Sequence, residues 1–74
     1  MNLHEFRRGL DVFSMYYDDA EGYHLAAEHD QIYLYPSDSP MSEEDVATVK
    51  ALGWFQEDTP EDEYSPDDGW SCFV

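Results

Sequence analysis

From Glu57 to Asp68 the chain carries seven acidic residues, two prolines and no basic residue. Trp54 and Phe55 precede the run, and Trp70 and Phe73 follow it. This pattern constrains the fold more than any other stretch. Like charges repel and stay in water. Each large aromatic side chain buries on the order of 150–250 Å² and belongs in a core. The chain must bring its aromatic anchors together and leave the segment between them outside. The simplest solution is two aromatic strands joined by a long acidic hairpin loop.

The rest of the chain has to supply a core for those anchors. At 74 residues it makes one domain, residues 1–74, and a chain of this size buries only about 60% of its unfolded surface. Hydrophobic residues at 42% and aromatics at 16% exceed what a disordered acidic chain contains. Eighteen Asp and Glu against three Lys and Arg leave a net charge of −15. That charge excludes nucleic acid as a direct ligand, because phosphate binding needs basic neutralisation. It excludes an anionic membrane surface for the same reason. The expected partners are basic: a nucleic-acid-binding protein, a basic tail, or metal cations.

Two helices and four strands are expected. Leu3, Phe6, Leu10, Phe13 and Tyr17 form an apolar stripe at helical spacing. Asn2 is a capping residue with Glu5 three positions on, and the stretch from Asp18 to Gly22 ends the helix. Tyr23 to His29 and Ile32 to Tyr35 read as a β-hairpin, with Ile32 and Leu34 inward and Tyr33 and Tyr35 outward, the opposite register that buries the tyrosines being the alternative. Ser42 caps a second helix, Met41 and Val46 form its hydrophobic staple, and Glu43, Glu44 and Asp45 load its first turn. Val46, Val49 and Leu52 are its buried stripe, and Gly53 is its left-handed terminator. Trp54 to Asp58 and Gly69 to Val74 read as two further strands. The expected fold is α+β, ordered αββαββ, with two helices packed on an antiparallel sheet. Strand edges allow either a monomer or a dimer.

Little in the chain points to catalysis. The single cysteine, Cys72, has no basic neighbourhood to activate it and reads as a small buried hydrophobe. No phosphate-binding glycine loop or nucleophile elbow is present. His4, His24 and His29 lack the paired short spacings of zinc modules, and the acids lack the order of a calcium loop. The expectation is a protein that is not an enzyme and has no cofactor and no dedicated metal site. With one cysteine, no secretory signal and no long apolar run, a soluble cytosolic protein is expected.

The acids are the strongest signal. A compact domain of this length has a radius of gyration near 11 Å and a long dimension of about 30 Å. Spread over that length, the net charge approaches duplex DNA, which carries one charge per roughly 1.7 Å. The candidate partner-binding residues are Glu43, Glu44 and Asp45 at the helix start. In the acidic run they are Glu57, Asp58, Glu61, Asp62, Glu63, Asp67 and Asp68, with Tyr64, and the outward Tyr33 and Tyr35, placed to stack on a partner's arginine. Asp18, Asp19 and Glu21 form a third acidic group. This pattern suggests a mimic of nucleic-acid phosphates that occupies a basic groove. Two alternatives remain: an interaction module using an aromatic or apolar patch, and a weak divalent-cation binder.

The stretch "SEEDVATVKALGWF", followed by the acidic run and "DGWSCFV", resembles short phage proteins with Leu-Gly-Trp after a helix. With its small size, acidity and aromatic strands, the chain is similar to small phage-encoded inhibitors of host defence, among them anti-CRISPR proteins and other DNA mimics. The resemblance implies a CRISPR effector subunit, or another defence nuclease, as the target. Such effectors hold nucleic acid in positively charged channels. These inhibitors share no common fold, so the resemblance carries over no binding residue.

Overall fold

The computed structural model describes residues 1–19 and 22–74. Its elements are α1 (Leu3–Phe13), a 3₁₀ turn (Ser14–Tyr16), β1 (Leu25–Glu28), β2 (Gln31–Leu34), α2 (Glu43–Ala51) and β3 (Trp70–Phe73). The fold is α+β, with two helices and a three-stranded antiparallel sheet ordered β1-β2-β3. The radius of gyration is 11.4 Å and the long dimension 31 Å, matching the size scaling for this length.

Local chemistry explains the helix ends. The Glu5 N–H donates to Asn2 Oδ1 at 2.8 Å, and the Asn2 N–H donates to Glu5 Oε1 at 3.3 Å. This closes the capping box. The helix stops at Phe13, earlier than its apolar stripe implies, and tightens into the 3₁₀ turn. Ala20 and Glu21, in the stretch expected to end it, lie outside the described residues. Leu3 departs from the stripe: it is 76% exposed, while Phe6 in the same turn stacks on Trp54 at 6.1 Å. Helix α2 ends as its sequence implies. Gly53 has φ +107°. Its N–H donates to Lys50 O, and the Trp54 N–H donates to Val49 O, each at 3.0 Å. These are the two bonds of a Schellman cap.

Both helices pack on one face of the sheet. Phe13 meets the Trp54 ring edge-on at 4.9 Å and lies 5.6 Å from the Trp70 ring. Leu34, Trp70 and Cys72 point from the sheet into this core and are buried. Burial pushes the Cys72 thiol above its ordinary pKa, and the N-terminal amine only partly opposes this. A buried, protonated thiol packs as a small apolar group.

Strand alternation and the observed register place Ala26, Tyr33, Ser71 and Phe73 on the other face. The expected orientation of β2 holds, with Leu34 inward and Tyr35 outward, 53% exposed. In β1, Leu25 is 54% exposed. This strand starts two residues later than expected and forms a sheet edge.

The expected strand from Trp54 to Asp58 does not form, so the order is αββαβ. Only Phe55 pairs with β3: its N–H donates to Ser71 O at 2.9 Å, and the Ser71 N–H donates back at 2.8 Å. Beyond that bridge, the Gln56 side chain replaces the backbone ladder. Its Nε2 donates to Ser65 O at 2.7 Å and Asp68 O at 3.1 Å, and its Oε1 accepts from the Ser65 N–H at 3.0 Å.

Candidate partner-binding surface

The acidic segment is an ordered structure built from two turns. The Glu63 N–H donates to Pro60 O at 2.9 Å, and the Asp68 N–H donates to Ser65 O at 3.3 Å. The second turn has Ser at its first position and Pro66 at its second, the favoured chemistry for a tight turn. Four side chains then tie the segment down.

The first is Gln56, buried at 6% exposure with three hydrogen bonds across the base of the loop. Satisfying both ends of a buried amide avoids the desolvation penalty of an unmade bond. The second is Lys50 in the last turn of α2. Its Nζ donates to Glu61 O and Glu63 O, both at 2.6 Å. The cation therefore holds the loop by its backbone and leaves the carboxylates of Glu61 and Glu63 to solvent.

The third is Asp68, whose Oδ2 accepts from the Asp58 N–H at 3.2 Å and from Thr59 Oγ1 at 3.0 Å. The fourth is Tyr64. Its ring stacks on Trp70 at 6.1 Å, and its hydroxyl accepts from the Met41 N–H at 2.9 Å. Tyr64 is thus an anchor of the scaffold, half-buried between the core and the loop. The aromatic ring in a run of acids is explained by the core beneath it.

Helix α2 brings the second group of acids. The Asp45 N–H donates to Ser42 Oγ at 3.1 Å. The Tyr16 hydroxyl stands between the two capping residues, accepting from the Ser42 N–H at 3.3 Å and donating to the Asp45 carboxylate. Asp45 is therefore partly buried and engaged, while Glu43 and Glu44 stay exposed in the first turn, where the helix dipole favours negative charge.

The two groups meet. Glu43 of α2 and Glu61, Asp62 and Glu63 of the loop line one open groove of about 420 Å³, with Lys50 and Tyr64 also in its lining. The candidate residues thus sort by place. Glu43, Glu61, Asp62 and Glu63 share the groove. Asp45 and Asp68 are spent on internal hydrogen bonds. Glu57 turns toward the sheet, accepting from Gln31 Nε2 at 2.5 Å. Glu44, Asp58 and Asp67 are exposed outside the groove lining. Asp18 and Asp19 are exposed near the 3₁₀ turn, with the Asp18 N–H held by Asp38. Glu21 lies outside the described residues.

Sequence reasoning passed over Gln56 and Tyr16, and of the outer sheet face it named Tyr33 and Tyr35 but neither Phe55 nor Phe73. Only Gln56 left a trace: it follows Trp54 at strand spacing, which puts an amide on the buried side. The His24 ring packs on Tyr17 at 5.1 Å. Among the described residues no three His, Cys, Asp or Glu side chains are grouped to hold a metal. Among the same residues no helix is long and apolar enough to cross a membrane. Comparison with known proteins gives no matching family model, no matching curated protein and no matching solved structure.

Proposed function

We propose that this chain is a non-enzymatic inhibitor that presents carboxylates in place of nucleic-acid phosphates and blocks a basic nucleic-acid-binding surface of a protein partner. The observation that carries this reading is the meeting of Glu43 with Glu61, Asp62 and Glu63 across one groove, on a loop pinned by Lys50 and Gln56. A pinned display loses less entropy on binding than a floppy one. A carboxylate also accepts a bidentate arginine much as a phosphate does. Net charge −15 along a long axis of 31 Å gives about one charge per 2 Å, against one per roughly 1.7 Å in duplex DNA. The resemblance to phage-encoded inhibitors makes a CRISPR effector or another defence nuclease in the host cytosol the target class.

A pull-down from bacterial lysate at low and high salt identifies the partner, and displacement of that partner's DNA or RNA measures the inhibition. Displacement is expected to fall steeply between about 50 and 200 mM salt, as phosphate contacts do. It is expected to be lost in the combined variant Glu43→Gln, Glu61→Gln, Asp62→Asn, Glu63→Gln. A variant that displaces nucleic acid as well as the parent overturns the reading.

A further inference from the structure

The sheet has a second face that the helices leave open. Tyr33, Phe55 and Phe73 lie on it and take no part in the core, which sits on the opposite side. The Phe55 and Phe73 rings stack at 5.5 Å with planes 29° apart, and Phe73 is 54% exposed. Three carboxylates act on Tyr33 at this face. Glu28 faces Gln31 at the end of β1, Asp30 sits in the hairpin turn, and Glu57 is fixed by Gln31 Nε2. Their field reaches the Tyr33 phenol, whose pKa is raised by burial first, then by Glu57, Glu28 and Asp30.

Charge selects the occupant. A second copy would bring another −15 against the first, and an anionic lipid surface would be repelled too. The chain's own cations do not serve this face: Arg7 and Arg8 lie on α1, on the other side of the sheet, and Lys50 is tied to the loop. Exposed aromatic rings beside carboxylates suit a flat, permanently charged guanidinium better than a strongly hydrated ammonium.

We propose that the open sheet face is a docking surface for an arginine-bearing segment of a basic protein partner, with guanidinium groups over Tyr33, Phe55 and Phe73 and paired to Glu28, Asp30 and Glu57. This rests on the reading above only in taking the partner to be cationic; the surface itself is separate from the acidic groove.

The test uses oligoarginine and oligolysine peptides of equal length, titrated against the full chain at fixed salt. The parent is expected to bind oligoarginine more tightly, by roughly two- to fivefold per stacked guanidinium. The double variant Tyr33→Leu, Phe73→Leu keeps the face apolar and lies off the core. It is expected to bring the two affinities together while leaving oligolysine binding unchanged. The groove variant is expected to weaken both peptides alike and leave the arginine preference intact. Equal affinities in the parent, or a preference that survives the double variant, overturns the proposal, as does a dimer in sedimentation that the double variant dissociates. A groove variant that binds both peptides like the parent counts against the groove alone.

Discussion

The Trp54 indole packs against α1 at Gly9, so closely that a Cβ added to Gly9 would stand 2.5 Å from the indole Nε1. Among the described residues that nitrogen is buried without a hydrogen-bond partner. The unmade bond costs about 1–3 kcal/mol, which the fold carries to bring Trp54 beneath the helix. Gly9→Ala would gain about 1 kcal/mol of helix propensity, but overpacking costs typically 1–3 kcal/mol, and here the clash falls on a rigid ring. The expected outcome is a net loss of stability by urea denaturation, opposite in sign to an Ala substitution at an exposed helical glycine.

Gln56 is the second point of tension. Replacing it with Leu keeps the volume and leaves the Ser65 N–H and Asp68 O without this partner, while Ser65 O keeps the Asp68 N–H. The expected cost is about 2–4 kcal/mol, from one to two buried groups left unsatisfied. Hydrogen exchange separates this from a general loss of packing: the Ser65 amide should lose protection, while amides in α1 keep theirs after correction for global stability.

Alkaline pH should unfold the protein by way of its tyrosines. The Tyr17 hydroxyl donates to Tyr35 O at 2.5 Å. Its pKa is raised to about 12 by burial, then by the charges of Asp38 and Tyr64. The folded state therefore holds the Tyr17 proton more tightly than the unfolded chain. Its contribution is complete below about pH 10 and is lost as pH rises toward 12. Tyr33 and Cys72, both raised, act in the same direction. Absorbance titration of phenolate should show a late step that Tyr17→Phe removes.

The β1–β2 turn holds a small stabilising substitution. His29 opens the two-residue loop at φ +55°, a conformation that costs a residue with a Cβ roughly 1–2 kcal/mol. A positive φ at the first loop position is where hairpins prefer glycine. His29→Gly relieves this strain and gives back part of it as unfolded-chain entropy. Thermal denaturation should show a gain of about 0.5–1 kcal/mol, and a loss would mean that the His29 side chain supports the turn.

The features legible in the sequence were those made by neighbours along the chain. Asn2 with Glu5, Ser42 with its acidic first turn, and the Gly53–Trp54 cap each act within one helical turn, so residue order alone exposes them. The alternation in β2 placed Leu34 inside correctly because its face is half buried. The errors lie where a distant side chain decides. Whether Trp54 to Asp58 continues as a strand depends on Gln56 reaching Ser65 and Asp68. Leu3 fits its stripe, yet it is the stripe's next member, Phe6, that reaches the Trp54 ring. For the acids, composition revealed the charge, but only the fold divides Glu43, Glu61, Asp62 and Glu63 from Asp45 and Asp68, which are consumed by the scaffold.

Lys50 separates charge from arrangement. Lys50→Met removes the two hydrogen bonds to Glu61 O and Glu63 O and makes the chain more negative by one charge. If a basic partner responds to total charge alone, the variant should bind at least as tightly as the parent. If the pinned display matters, the freed loop must be reordered on binding, at about 0.5–1.5 kcal/mol per immobilised side chain. Affinity should then fall by roughly tenfold, on the order of 1.4 kcal/mol. Faster exchange of the Glu63 amide in the free variant would tie the loss to the loop. Tighter binding by Lys50→Met, with that amide exchanging faster, would mean that the partner reads charge without geometry.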